Sequence, residues 1–184
     1  MHRIASASFA CLRRISAGFA VLTAATIGPL NAQQPSFACR LLQVAELEAA
    51  IGGKASTKPS GSQQAVPGMT LDECSMVLSG SGPTHPVSIR IVTNLSMDGA
   101  QAIKSRNAGE ASEPQWKVAG ARLEQATVGS ALCILAGRPQ VASHTTCSIP
   151  RGKGYVEVDV IGPVDGLPSI NTVGTLVQKA ITRL

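Results

Sequence analysis

The side chains best suited to acid–base or nucleophilic chemistry are scarce in this chain. Beyond residue 32 there are two histidines, His85 before a proline at a predicted strand start and His144 inside a predicted strand. A serine hydrolase needs a nucleophile, a base and an orienting acid in mutual reach. The sequence also lacks the G-x-S-x-G turn that often presents the serine. We therefore expect both histidines to be partly exposed strand residues, and we predict no catalytic residue.

Two pairs of residues have spacings that chemistry could use. Glu157 and Asp159 alternate with valines, so they share one face of a predicted strand. Because a strand rises about 3.4 Å per residue, the two residues lie about 7 Å apart, a spacing that would suit the carboxylate pair of a hydrolase. Such alternation more often marks a sheet face in contact with water, and this is the interpretation we adopt. His144 and Cys147 are three residues apart. Thiol catalysis requires a free, activated thiol, and Cys147 is better explained as half of a disulfide.

Phosphate and base-stacking sites are also poorly represented. Gly80-Ser81-Gly82 and Gly152-Lys153-Gly154 are glycine-flanked, but neither leads directly into a predicted helix. They therefore lack the helix N-terminal amides that hold phosphate, and we interpret both as turns. Beyond the first 32 residues the aromatic side chains are Phe37, Trp116 and Tyr155. These are too few for the stacking platforms of glycan or single-strand readers. We predict no cofactor.

The cysteines indicate a disulfide framework. Cys11 lies near the N-terminus, and the other four are Cys39, Cys74, Cys133 and Cys147. An even number of cysteines in an exported domain is typical of disulfides, and four can pair in three ways. No two of them have the short spacing that zinc sites favour, so we predict no metal site.

One pairing has a geometric argument. Positions 133 and 147 average to 140, which lies in the predicted Pro139-Gln140 turn. A hairpin with that turn sets Cys133 opposite Cys147, with Cα atoms about 4.5–5.5 Å apart, which is within disulfide range. We therefore predict Cys133–Cys147, and Cys39–Cys74 follows by elimination.

The first 32 residues have the three-part composition of a secretory signal peptide. Arg3, Arg13 and Arg14 make the leader basic, residues 17–30 form an uncharged and mostly apolar run, and Ala32 is a small residue at the end. The run is shorter than the ~20 residues that a membrane-spanning helix needs. We predict cleavage near Ala32, a secreted or periplasmic product, and no transmembrane segment in the mature chain.

The mature chain would be one domain, with residues 33–38 as a short leader and residues 39–184 as a single exported domain. Three of the 16 Lys and Arg residues lie in the signal, which leaves 13 bases against 11 acids and a net charge of +2. This balance gives no support to a nucleic-acid partner. Lipidation of Cys39 is an alternative to its disulfide, but the apolar run ends too early for it.

Apolar periodicity divides the domain into helices and strands. Helices are predicted over residues 39–51, from about 94 to 107, and over 168–184. Strands are predicted over residues 69–78, 85–93, 130–136, 141–149 and 155–161. Residues 54–68 and 108–118 are predicted to be irregular. The fold class is therefore α+β, with a mainly antiparallel sheet of about five strands packed by two or three helices and two disulfides.

The start of this domain resembles a known family. Cys39-Arg40-Leu41-Leu42, then AELEAAIG over residues 45–52, then Cys74 about 35 residues on, is similar to the opening of small actinobacterial secreted lipoproteins of unknown function. The valine-rich hairpin and the closing helix extend the likeness over most of residues 39–184. The resemblance implies a PsbP-like α/β/α fold and a disulfide between the first helix and the first strand. It brings no catalytic residues.

These observations favour an exported, non-enzymatic binding or scaffold domain. Its partner would be an envelope or extracellular protein, or a small apolar ligand. The alternative is an envelope small-molecule or lipid carrier, or a small hydrolase whose site is built from scattered residues.

A protein partner is predicted to contact Arg138 and Gln140, because Cys133–Cys147 would hold the base of their turn rigid and lower the ordering cost of binding. Arg151 and Lys153 belong to the next turn, at the opposite end of a strand roughly 30 Å long. No single anion site should therefore combine them with Arg138.

Overall fold

The computed structural model describes residues 36–184, and the predicted signal peptide over residues 1–32 lies outside them. In this part of the chain the helices are α1 (Val44–Ile51), α2 (Gly99–Ser112) and α3 (Ile170–Ile181). The strands are β1 (Lys54–Ala55), β2 (Ser60–Val66), β3 (Met69–Ser79), β4 (His85–Thr93), β5 (Arg122–Val128), β6 (Ala131–Gly137), β7 (Ser143–Pro150) and β8 (Tyr155–Gly162). Short 3-10 helices occupy Phe37–Arg40, Pro114–Trp116 and Val164–Gly166.

The eight strands form one antiparallel sheet in the order β1-β3-β4-β8-β7-β6-β5. β2 also pairs with β3, so β1 and β2 share one edge of that strand. The prediction of an α+β fold with a mainly antiparallel sheet and two or three helices is confirmed, with three helices present, but the count of about five strands is wrong. The additional strands are β1, β2 and β5.

The strands that the sequence did not predict lie at the margins of the sheet. β2 and β5 each pair on one side only, and most of their residues are exposed. An edge strand that buries neither face needs no apolar alternation, which is the pattern by which strands are predicted. Residues 54–68, predicted to be irregular, therefore contain β1 and β2. Helix α2 also continues to Ser112, five residues beyond its predicted end at 107.

The hydrophobic core lies between one face of the sheet and the helices α1 and α3. Val156, Val158 and Val160 of β8 point into it and meet Val173 and Val177 of α3. The spacing of three and four residues along α3 places its apolar side chains on one stripe, as predicted.

Both disulfides belong to this apolar layer, and both predicted pairings are confirmed. Cys133 lies opposite Cys147 in the β6–β7 hairpin, with 4.1 Å between their Cα atoms. Cys39 is bonded to Cys74 of β3, with a Cα–Cα distance of 4.9 Å. Each bond closes a loop and restricts the unfolded chain.

The start of the described chain is fastened to β3 by more than a disulfide. The Ser36 hydroxyl and the Phe37 backbone amide both donate hydrogen bonds to the Asp72 carboxylate, the amide at 3.0 Å. Ser36 and Asp72 are both buried. The first residues of the described chain are therefore part of the folded domain.

Helix α2 packs against the opposite face of the sheet, over β6, β7 and β8. The described domain thus has three layers, with α1 and α3 on one side of the sheet and α2 on the other. None of the helices within residues 36–184 has the length and apolar character needed to cross a bilayer.

Candidate functional site

The face of the sheet beneath α2 carries two rows of polar side chains in register. Glu73, Arg90, Glu157 and Ser148 are direct neighbours across β3, β4, β8 and β7. In the adjacent row, Asp159 of β8 lies between Ser88 of β4 and Thr146 of β7. Each side chain is placed by strand alternation, since residues two apart share a face.

Glu157 is the centre of this network. Its carboxylate accepts hydrogen bonds from Arg90 Nη1 at 3.1 Å and from the Ser148 hydroxyl at 2.8 Å. It also accepts one from Nη1 of Arg106, a residue of α2. Burial alone would raise the pKa of Glu157, but the two guanidinium groups and the hydroxyl hold it below its ordinary value of 4.5. Glu157 is therefore a buried, ionised and fully paired carboxylate.

The expectation that Glu157 and Asp159 face water is wrong. They are 2% and 7% exposed, respectively, because α2 covers this face of the sheet. Strand alternation predicts correctly that the two carboxylates share a face. It does not reveal that a polar helix covers that face.

The negative charge of Asp159 is compensated by fewer partners than that of Glu157. Its Oδ1 accepts a hydrogen bond from the Thr146 hydroxyl at 2.6 Å. Its Oδ2 lies 3.9 Å from Arg90 Nη1, beyond hydrogen-bond distance, and accepts no hydrogen bond within residues 36–184. Burial raises the pKa of Asp159, and the neighbouring charge of Glu157 raises it further. Oδ2 of this nearly buried carboxylate thus has no partner within these residues and keeps contact with solvent.

Helix α2 is attached to the sheet mainly through polar contacts. Asp98 caps its N-terminus by accepting from two backbone amides. Arg106 donates from Nη2 to the Ser148 hydroxyl at 3.0 Å, and its guanidinium lies 5.7 Å from the ring centroid of Tyr155. Among the α2 side chains only Ile103 and Asn107 are buried. A helix that binds through an ion pair needs no apolar stripe.

The N-terminus of α2 rests on the turn between β7 and β8. The Gly99 amide donates to the Gly152 carbonyl at 2.8 Å. A Cβ atom at Gly99 would overlap the backbone oxygen of Gly154, so only glycine allows this approach. The Gly152-Lys153-Gly154 segment is the turn that the sequence predicts, and it also positions α2.

Between α2 and the sheet lies a cleft of about 300 Å³, called here the α2 cleft. It is lined by side chains of α2, β4, β6, β7 and β8: Arg90, Arg106, Asn107, Glu110, Ile134, Ala142, Ser143, His144, Thr146, Glu157, Asp159 and Ile161. This volume is at the lower end of the range for small-molecule sites.

One wall of the α2 cleft is braced by an aromatic pair. Trp116 meets His144 edge-on, with 6.4 Å between the ring centroids, and its Nε1 donates to Glu110 at 3.0 Å. His144 is half-buried, as predicted. His85 is 5% exposed and therefore buried, contrary to the prediction, and its Nδ1 lies 3.2 Å from the Ile161 carbonyl oxygen. The two histidines are not brought together in one site.

Arg138 and Gln140 lie in the loop between β6 and β7, as predicted. Gln140 is exposed with a positive φ of 67°, and the Arg138 amide donates to the Ser143 hydroxyl at 3.1 Å. The last residue pair of the hairpin before this loop is Ala136–His144. The Cys133–Cys147 bond lies three residues farther along the strands, a distance of about 10 Å. It therefore does not clamp the loop directly.

The same loop borders the α2 cleft through Ala142 and Ser143. Arg151 and Lys153 lie at the other end of β7, so they form no patch with Arg138. Within residues 36–184 no three His, Cys, Asp or Glu side chains are grouped to hold a metal ion.

The fold and the site define an α/β/α sandwich with a charged cleft between one helix and the sheet. No family model matches the chain, and no curated protein matches it. The chain is similar to the extracellular domain of PknH from Mycobacterium tuberculosis, with 15% identity and a TM-score of 0.48 over 82% of this chain and 97% of that chain. A likeness at this level carries nothing about ligand or partner. The resemblance to actinobacterial lipoproteins stays a prediction.

Proposed function

We propose that this chain is an exported, non-enzymatic binding domain that takes a small polar ligand in the α2 cleft. The observation that carries the proposal is the set of charged side chains enclosed between α2 and the sheet. Replacing a buried ion pair with packed apolar residues is often neutral or stabilising, so stability alone gives little reason to keep one. Asp159 Oδ2 has no hydrogen-bond partner within residues 36–184 and is not among the fully buried atoms, so it is available to a ligand in the cleft.

Export is supported by two features. The basic and apolar leader over residues 1–32 has the composition of a signal peptide. The four cysteines of the described domain are all in disulfides, which persist in oxidising compartments outside the cytoplasm.

A polar ligand fits the α2 cleft better than a lipid does. The sheet face beneath α2 carries Arg90, Glu157 and Asp159, and burying these groups against an acyl chain would remove their remaining contact with water. The opposite face of the sheet is occupied by the core side chains of α1 and α3.

A hydrolase is also disfavoured. Two carboxylates that act as acid and base need different and accessible protonation states. Glu157 is paired with two arginines, and its lowered pKa keeps it ionised, so it is poorly suited to donate a proton. Asp159 alone would have to perform both roles.

The proposal is tested by native mass spectrometry and NMR on protein purified after export of the full chain. A library of amino acids, polyamines, sugars and dicarboxylates is added, and amide shifts are mapped. We expect at least one compound to move the amides of Arg106, His144 and Asp159 together. If none of the four classes moves these amides and no small molecule co-purifies, the proposal is wrong.

Two tryptophan variants serve as a matched pair. Ala142→Trp places a large side chain in the lining of the α2 cleft and should weaken binding at least 10-fold. Ala65→Trp places the same side chain on the exposed strand β2 and should leave binding unchanged. Equal affinity of both variants would contradict a site in the cleft.

The predicted protein contact at Arg138 and Gln140 is a separate proposal. It is supported by the exposed position of Gln140 and by the buried Arg138 Nε, which has no hydrogen-bond partner within residues 36–184. Replacing both residues with alanine should leave the melting temperature nearly unchanged while weakening capture of an envelope protein. Unaltered capture by this variant would count against the contact.

A further inference from the structure

We infer that the ligand of the α2 cleft is a free α-amino acid, with its ammonium group on Asp159 and its carboxylate on Arg90. This inference rests on the proposed function, because it assigns a chemical class to the same site. It follows from hydrogen-bonding groups of both kinds that are left unpaired at one place.

The unpaired acceptors are carboxylate oxygens. Asp159 Oδ2 accepts no hydrogen bond within residues 36–184, although the residue is only 7% exposed. Glu110 uses one oxygen to accept from Trp116, and its second oxygen also accepts nothing within these residues. A charged donor satisfies such oxygens best, because hydrogen bonds between ionised groups are the strongest.

The unpaired donors are a guanidinium and an amide nitrogen. Arg90 donates from Nε to Glu73 at 2.9 Å and from Nη1 to Glu157, while Nη2 donates no hydrogen bond within residues 36–184. Asn107 is 6% exposed, and its Oδ1 accepts from Arg106, while its Nδ2 donates no hydrogen bond within these residues. Arg90 Nη2 and the Asn107 amide can each donate a hydrogen bond to an anionic oxygen, and the bond from the guanidinium is charge-assisted.

The two kinds of group are close enough for one small molecule. Asp159 Oδ2 lies 3.9 Å from Nη1 of the same guanidinium whose Nη2 is the free donor. An α-amino acid carries its ammonium and its carboxylate on a single carbon atom, so it can meet both at once. A simple amine would leave the donors unpaired, and a simple carboxylate would leave Asp159 unpaired.

The charge of the site argues against a purely anionic ligand. Two guanidinium groups are outnumbered by four carboxylates in or beside the α2 cleft: Glu73, Glu110, Glu157 and Asp159. A zwitterion adds no net charge to this set.

The remaining wall of the α2 cleft suits an apolar side chain. Ile134 and Ile161 line the cleft beside its polar groups. The cleft of about 300 Å³ leaves room for an aliphatic side chain next to the two charged ends. L-Leucine is therefore the first probe.

The test is isothermal titration of the exported protein with L-leucine, N-acetyl-L-leucine and L-leucinamide at pH 6.5, where the amine of leucinamide is mostly protonated. We expect saturable leucine binding. The acetylated compound lacks the ammonium and the amide lacks the carboxylate. Each should bind about 10- to 100-fold more weakly, the factor for losing one hydrogen bond to a charged group.

Two variants locate the binding groups. Asp159→Asn should weaken leucine binding by the same factor, while Asp165→Asn, on an exposed residue, should not change it. Arg90→Lys keeps the charge beside Glu157 and removes the free Nη2 donor, so it should weaken leucine more than leucinamide. Near-ultraviolet circular dichroism checks that each variant is folded.

The outcomes separate this inference from the function on which it rests. If a sugar, a polyamine or a dicarboxylate binds the α2 cleft and no free amino acid does, the ligand class is wrong and the binding function stands. If leucinamide or N-acetyl-leucine binds as well as leucine, the zwitterion is wrong. If no compound of any class binds, the ligand class and the binding function are both wrong.

Discussion

Replacing Glu157 with glutamine should destabilise the domain, because the central anion of the network would be lost. The side chain is 3% exposed and is paired with Arg90, Arg106 and Ser148. Breaking a buried ion pair by removing one partner commonly costs about 3–5 kcal/mol. Here the two guanidinium groups are 31% and 34% exposed, and Arg90 retains Glu73. We therefore expect a smaller loss, about 2–3 kcal/mol, since water and Glu73 compensate part of the unpaired charge.

The assay is chemical and thermal unfolding at pH 7 with the disulfides intact. For a domain of this size the loss corresponds to a melting temperature roughly 4–12 °C lower. Glu73→Gln is the matched control, because Glu73 pairs with the same arginine but is 23% exposed. It should cost less than about 1 kcal/mol.

The pH dependence tests the cause. The folded-state pKa of Glu157 lies below its ordinary value of 4.5, so its stabilisation is fully present above pH 4.5. It is lost as the pH falls through the folded-state value. The difference between the wild type and Glu157→Gln should thus be largest near pH 7 and shrink below pH 4.5. An equal difference at pH 7 and pH 3, or a variant as stable as the wild type, would refute the reasoning.

Three further substitutions are predicted to change stability. Asp159→Asn should stabilise the domain by about 0.5–2 kcal/mol at pH 7, because burial disfavours the charged form of Asp159 and raises its pKa. Thermal melts at several pH values should show that this gain disappears below pH 3.8, where the wild-type carboxyl is also neutral. A loss of stability at pH 7 would contradict the prediction. Replacing Cys133 and Cys147 with serine should cost about 3 kcal/mol in urea unfolding, and an unchanged midpoint would argue against the bond. Gly99→Ala should cost about 1–3 kcal/mol through overlap with the β7–β8 turn, whereas Gly109→Ala, with open space around it, should be neutral or stabilising.

The sequence predicts well the parts of the fold that are governed by apolar burial. The β6–β7 hairpin is an example, because its turn residues and the symmetric positions of Cys133 and Cys147 determine its register. Helix α3 is another, because its apolar stripe meets the valines of β8. In both elements local pattern and tertiary packing agree.

The candidate site was harder to predict because it depends on polar pairing. The side chains of His144, Thr146 and Ser148 alternate along β7 just as Glu157 and Asp159 alternate along β8. Two adjacent strands with the same polar face are a signal that could have indicated an enclosed network. The covering helix gave no such sign, since its buried residues are only Gly99, Ile103 and Asn107 and its sequence has no apolar stripe.

The two faces of the sheet are held by different kinds of interaction, so they should respond to different reagents. Both disulfides lie in the layer of α1 and α3, and a reductant therefore acts on that side. Helix α2 is joined through the Arg106–Glu157 ion pair and the Gly99 backbone contact, so acid, which protonates Glu157, acts on the other side. Hydrogen exchange would then show α2 opening on its own at acid pH while α3 stays protected. The layer of α2 would loosen and close again without disturbing the disulfide-bonded core.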